Sequence, residues 1–347
     1  MLRTATNCTK RLIKACTSAK RHYTLAKEFY CDLERGLVQV KGDDCCKFLH
    51  SMVTSNVNKL LLEDRESCQY SAFLNHTGRV LFDVFLWRQA SDTVLIDCQR
   101  PYVMDVMTHL AMYKLRAKVD ISNVTGKYKV FGAFEPSEAH QSRQALMKIR
   151  DTRSNWTMSR YLLDDALSSD ADFVFKGLEK KTRHEYRIMR MLHGVPEGFV
   201  EIKSGHAIPF DFNLDLMGAV DTSGKGCYIG QELVTRTLHQ GQIRKRCRAI
   251  QIFDPDRVNV LTSAFEPDPE VKFQIVTETE MMGATVRDDN AQTGFTEYTA
   301  DYQVKMGRIV RTIGNMGLAL VKHPGDYAAV MTMRPSMALV KILPLAR

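Results

Sequence analysis

No stretch of this 347-residue chain approaches the ~18 consecutive apolar residues that a helical membrane span needs, so an integral helical membrane protein is excluded. No C-x-x-C pair occurs among its nine cysteines, and no Cys/His spacing would build a zinc site unaided. There is no low-complexity tract and no internal repeat. The most telling absence is of acid. No Asp or Glu precedes Glu28, whereas Arg3, Lys10, Arg11, Lys14, Lys20, Arg21 and Lys27 all fall in that stretch. A basic segment rich in Thr and Ser and free of acids has the composition of a mitochondrial transit peptide. Residues 1–27 are expected to be one, with processing near Arg21-His22-Tyr23 and the matrix as destination. A secretory signal is excluded, because charges interrupt every apolar pair, Leu12-Ile13 included.

The leader also accounts for the charge. A formal net charge of +8 first suggests a nucleic-acid partner. Setting aside the seven leader cations leaves 41 basic residues against 40 acidic ones, a net charge of +1. The body therefore lacks an electrostatic footprint for phosphate backbones, and neither nucleic acid nor membrane is expected as a partner. Cys8 and Cys16 lie in the leader. The other cysteines, at 31, 45, 46, 68, 98, 227 and 247, would sit where thiols stay reduced, and most are expected to be small core hydrophobes.

A chain this long exceeds the ~250–300 residues at which single cores stop growing. Residues 35–40 read as a strand, followed by a helix with Asp43 or Asp44 as N-cap and Cys46, Leu49, Met52 and Val53 on its apolar stripe. Segments 70–74 and 79–87 are apolar and β-prone, joined by Asn75-His76-Thr77-Gly78, which is hairpin-turn chemistry. Thr93–Cys98, Val119–Val124 and Tyr128–Phe134 read as further strands. Pro101 opens a helix with Val103, Val106, Met107, Leu110 and Leu115 on or near one face. A second proline, Pro136, is expected to begin a helix reaching about Arg150. The Ser/Asp-rich stretch 164–172 reads as a surface loop, and Leu178 to Leu192 as a helix ended by Gly194 and Pro196.

From about Ala249 the texture changes. Segments 249–253, 271–276, 305–313, 316–322, 328–333 and 338–343 are short, β-prone and separated by Gly, Pro, Asn and Asp. Such a series without crossover helices indicates a small antiparallel barrel or sandwich. A boundary is placed near Lys245, between a mixed α and β body, 28–245, and an all-β lobe, 246–347.

The segment richest in chemistry is Lys225-Gly226-Cys227-Tyr228-Ile229-Gly230-Gln231-Glu232. Two glycines bracketing the cysteine imply a tight backbone path that brings Cys227 to a surface or pocket wall. Gln231 to His239 reads as a helix, so Cys227 should precede a helix N-terminus, with Lys225 near and Arg236 able to fold back. That setting favours a thiolate, which is both a nucleophile and a soft metal ligand. The alternative is a tight-turn cysteine packed inward, though Gly, Lys and the Gln-Glu pair make poor core company.

This octapeptide resembles the signature of the folate-binding, YgfZ-type iron–sulfur proteins, relatives of the glycine-cleavage T-protein. Other segments resemble that family in the right order: Arg35-Gly36-Leu37 through Thr54-Ser55-Asn56, the hairpin Ala72 to Asp83, Tyr186-Arg187 to Gly198, Ile208-Pro209 to Asn213-Leu214, Gly307 to Val310 and Gly317 to Leu320. The resemblance implies an α+β fold: an aminomethyltransferase-like folate-binding body followed by a small C-terminal antiparallel β-barrel. It also implies a mitochondrial matrix factor acting late in 4Fe–4S cluster maturation. In that reading Cys227 supplies one ligand to a transient iron–sulfur cluster shared with an A-type scaffold partner, as monomer or heterodimer. One cysteine cannot hold a cluster alone.

The resemblance implies a tetrahydrofolate-type cavity as well, lined by Asn75, Arg79 and Asp83. Arg79 would pair with a glutamyl carboxylate, or else simply with Asp83 on the same strand face. A folate-dependent one-carbon transferase or folate-linked redox enzyme is the alternative function. Departures from the transferase weigh against it. Cys227 stands where the T-protein has an aspartate, Phe82-Asp83 replaces paired aspartates, and Leu192 stands at the pterin-recognising glutamate. A transferase-like fold without those carboxylates points away from an enzyme. His206 and His239 read as surface histidines, Glu232 as a complement to the helix dipole, and Cys247 as core.

Overall fold

The computed structural model describes residues 28–62, 67–135, 145–253, 272–276, 307–313, 316–322, 328–332 and 337–342. The leader lies outside them. The chain divides into two compact units, one holding 26–187 and 196–243, the other 188–195 and 244–346.

In the larger unit, strands β2 (Arg35–Lys41), β3 (Cys68–Leu74), β4 (Val80–Ala90), β5 (Thr93–Gln99) and β6 (Asp120–Asn123) form an antiparallel sheet in the order β3-β4-β5-β2-β6. Most inner residues of β2, β4 and β5 are buried on both faces, which is why these strands read as apolar runs rather than alternations. One face carries α1 (Cys45–Met52), α2 (Val57–Leu61) and α3 (Val103–Lys114). Phe48, Leu49, Met52, Val57, Leu60, Val106 and Leu110 pack there against Val38, Phe73, Val84 and Ile96. A turn of 3₁₀ helix, Arg100–Tyr102, leads into α3. Leu115, expected on its buried face, instead ends the helix at φ 45 and is 87% exposed.

The hairpin turn forms as its sequence demands. The Asn75 side-chain oxygen accepts from the amides of Thr77 and Arg79 at 3.0 and 2.9 Å, and Gly78 takes φ +77. Across the hairpin Phe73 pairs with Phe82 but Leu74 with Val80, leaving Leu81 as a bulge. That extra residue shifts the face parity between Arg79 and Asp83.

A second sheet of this unit runs β10-β1-β7-β9-β8, from Glu179–Lys180, Phe29–Asp32, Tyr128–Phe134, Met158–Asp164 and Met147–Arg150 respectively. Only β1 and β10 are parallel. Tyr30, Phe131 and Tyr161 pack against Ala171, Val174 and Phe175.

Three expectations are corrected in this sheet. Residues 147–150, assigned to a helix from Pro136, are strand β8, an edge strand paired to β9; the intervening 136–144 lie outside the described residues. The stretch 164–172 is not a loop but holds two single-turn helices, α4 (Asp165–Ser168) and α5 (Ala171–Val174), because Asp164 caps the amide of Ala166 at 3.1 Å. The helix placed at 178–192 starts only at Arg183 (α6, Arg183–Leu192). The Thr182 hydroxyl accepts from the His184 amide, while Glu185 accepts from the Thr182 amide and hydroxyl, a capping box.

In the smaller unit, β11 (Arg246–Phe253), β14 (Met316–Val321), β13 (Gly307–Ile313), β12 (Lys272–Val276), β15 (Ala328–Thr332) and β16 (Met337–Ile342) form an antiparallel sheet in that order, and β16 also pairs with β11. Cys247, Ile250, Leu318 and Ala319 are fully buried, so Cys247 is core as expected.

Candidate functional site

Cys227 is exposed, on the loop between Asp221 and α7 (Gln231–Gln240). The contrast with the other described cysteines is sharp. Cys31, Cys45, Cys98 and Cys247 are buried, and burial pushes the first three thiols up to about 12, so none is a thiolate at neutral pH. Cys46 and Cys68 are half-buried.

The loop is built onto the C-terminal end of α1. A helix leaves its last carbonyls without intrahelical partners. Here the loop supplies them. The Lys225 ammonium donates to the carbonyls of His50, Val53 and Ser55 at 2.6, 2.5 and 3.0 Å, and the Ile229 amide donates to the Ser51 carbonyl at 3.1 Å. His50 Nε2 in turn meets the Lys225 carbonyl at 2.8 Å, as donor. The Tyr228 ring covers the ammonium at 4.5 Å, with its hydroxyl buried and unpartnered. Burial pulls the Lys225 pKa down to about 7 against the opposing effect of Asp221. Lys225 thus faces α1, rather than serving simply as a cation beside the thiol.

Upstream, Asp221 folds the loop. Its carboxylate accepts from the Ser223 and Lys225 amides, both at 3.1 Å, and from the Ser223 hydroxyl and Lys59. Burial acts to raise its pKa, but these donors win and hold it below the usual carboxylate range. Downstream, Gly226 and Gly230 have φ of +100 and +77. Gly230 has a further constraint: a Cβ there would lie 2.4 Å from the Asn75 carbonyl and 3.0 Å from Gly78 Cα. The hairpin tip and the cysteine loop touch glycine to glycine. Gln231 Oε1 accepts from the Tyr228 amide at 3.3 Å, while Glu232 pairs with Arg236 at 3.3 Å on the exposed face of α7. Arg236 therefore pairs along its own helix and gives the loop no cation. His206 and His239 are exposed.

Asn75, Arg79 and Asp83 do not assemble a folate cradle. The Asn75 oxygen is spent on its own turn. Asp83 is buried, accepting from the Tyr70 hydroxyl at 3.2 Å and the Gly198 amide at 3.0 Å, and burial pushes its carboxyl up. Arg79, half-buried, is neither its ion-pair partner nor on its face. A described cavity of about 380 Å³ is lined instead by Arg100, Pro101, Val103, Met104, Asn123, Thr125 and Gly126. The oxygens of Asn75 and Asp83 are thus engaged within the fold and do not fit the expected folate-lining role.

Asp83 borders an ionic lattice that sequence reading missed. Arg153 donates to Asp151 at 2.8 Å and Glu197 at 2.8 Å, and Arg160 reaches Asp151, Asp97 and Glu197 at 3.1, 3.3 and 2.8 Å. Arg35 binds Asp97, and the Tyr186 hydroxyl accepts from both Arg153 and Arg160 while donating to Glu197 at 2.6 Å. Arg153 stacks near Tyr70, Phe85 and Trp156. All these charges are buried, and they bridge both sheets of the larger unit. The available signal was Arg35, Tyr186 and Glu197 falling inside family-like segments.

Among the described residues no group of three His, Cys, Asp or Glu side chains is placed to hold a metal ion, and no helix is long and apolar enough to cross a membrane. No protein-family profile matches the chain. The fold is similar to that of the glycine cleavage system aminomethyltransferase T from Bartonella henselae, with a TM-score of 0.67 at 12% identity, covering 96% of this chain and 88% of that one. An α+β aminomethyltransferase-like architecture with, among the described residues, one exposed loop cysteine is the class defined. In sequence the chain is 33% identical over 318 residues to the mitochondrial iron–sulfur cluster assembly factor IBA57 homolog of Pyricularia oryzae, covering 86% of this chain and 74% of the relative. It is 31% identical to the homolog from Phaeosphaeria nodorum, covering 82% and 68%. The chain belongs to the IBA57 family.

Proposed function

We propose that this protein is a mitochondrial iron–sulfur cluster assembly factor acting through Cys227. The cluster is its cargo. Cys227 supplies one thiolate ligand, and an A-type scaffold partner supplies the rest, late in 4Fe–4S maturation in the matrix. The observation that carries this reading is the pairing of an exposed, anchored cysteine with the lack, among the described residues, of any three-ligand group. A cluster needs a full set of ligands, so a site with fewer than three ligands on this chain is completed by a partner. The spent oxygens of Asn75 and Asp83 give folate chemistry no foothold at those positions.

The test is anaerobic co-purification of the chain with a reconstituted A-type scaffold protein, recording visible absorption for wild type and Cys227→Ser. Cluster absorption that co-elutes with the wild-type complex and vanishes in the variant is the expected result. Equal absorption in both, or none in either, would remove Cys227 from the role.

A further inference from the structure

The Lys225 ammonium sits where three backbone carbonyls converge, those of His50, Val53 and Ser55, under the face of the Tyr228 ring. That is the donor set of a small-cation site, occupied by a side chain. Two of the three carbonyls, with that of Ser51, belong to the end of α1 and the residue capping it. These carbonyls are the negative end of the helix dipole, which offsets part of the cost of withdrawing a cation from water there. Lys225 is two residues from Cys227 in a loop that has no regular secondary structure of its own between Asp221 and Gln231. Of the backbone amides in this stretch, that of Ile229 reaches α1, and that of Lys225 stays within the loop on Asp221.

We infer that Lys225 is a positioning residue: its ammonium, seated in the carbonyl cage closing α1, fastens the cysteine loop to the helix and fixes where Cys227 is presented. This rests on Cys227 being the functional thiol, and it adds the device that holds it. A Cys on a free loop would lose conformational entropy whenever a cluster docked; the cage removes that loss beforehand. The Tyr228 ring contributes as a lid and its hydroxyl does nothing, consistent with its having no partner among the described residues.

Hydrogen exchange on the full chain, without cluster or partner, tests the cage separately from the cluster role. In Lys225→Met the Ile229 amide should exchange about tenfold faster, while β2 to β5 keep their protection, as expected of a local opening. Tyr228→Leu should give a smaller rise at the same amide and Tyr228→Phe none. Unchanged exchange at Ile229 in Lys225→Met overturns the inference. So does a uniform rise throughout the unit, or failure to fold, because the lysine would then be a general structural residue. If Cys227→Ser keeps the cluster yet the exchange pattern holds, the cage stands and only the cluster reading falls.

Discussion

Arg153 and Lys225 are both cations withdrawn from water, and the protein treats them in opposite ways. Arg153 is matched by the carboxylates of Asp151 and Glu197, a tyrosine hydroxyl and three aromatic faces, with every guanidinium nitrogen hydrogen-bonded. Lys225 is met chiefly by neutral carbonyls and one ring, with Asp221 its only noted charge influence. The first arrangement is a bolt between two sheets, charged at every accessible pH. The second is a latch on one loop, whose charge is poised near neutrality. Rigidity and function are thereby separated: the lattice sets the fold, and the latch sets the position of a single thiol.

The separation is best broken from the lattice side. Arg160→Leu leaves Asp97, Asp151 and Glu197 buried with too few donors, and should cost about 3–5 kcal/mol in urea denaturation. Gly230→Ala should cost about 1–3 kcal/mol, read as a lowered Tm, because its φ is left-handed and its Cβ would strike the hairpin backbone. The pH dependence sharpens the contrast. Lys225 has its pKa pulled down to about 7 in the fold, below the ordinary 10.5. From about pH 7 up to the ordinary thiol value of 9.0, beyond which the buried Cys31, Cys45 and Cys98 act in the opposite direction, the unfolded chain keeps a Lys225 proton that the fold gives up, so wild-type stability should climb with pH across that window. Lys225→Met should flatten the climb in urea midpoints taken through it, and Arg160→Leu should not. The smallest effect belongs to Cys227→Ser. Its exposure predicts a stability change within about 0.5 kcal/mol, even though cluster absorption is expected to disappear.

Much of this was legible in the sequence, for identifiable reasons. Asn75 to Gly78 announces its turn because the asparagine oxygen and the glycine φ act locally. Cys227 announces itself because two glycines and polar neighbours are a poor fit for a core. The lattice was illegible because its members are spread from Arg35 to Glu197, and isolated charged residues read as surface. Strand β8 was hidden for a related reason: Met147–Arg150 has helix-forming residues, and only pairing to β9 makes it extended. The Ser/Asp stretch near 165 misled because capping residues and loop residues are the same residues. The anchoring role of Lys225 was illegible, since its partners are backbone atoms 170 to 175 positions earlier.

Gly78 and Gly230 leave room for no side chain on either. They behave as one steric unit split across the chain, and their substitutions are therefore epistatic. An alanine at either position already forces the hairpin tip and the cysteine loop apart, so the second alanine should add less than the first. Losing one of these glycines removes the steric reason for keeping the other, while the left-handed φ at each still favours glycine.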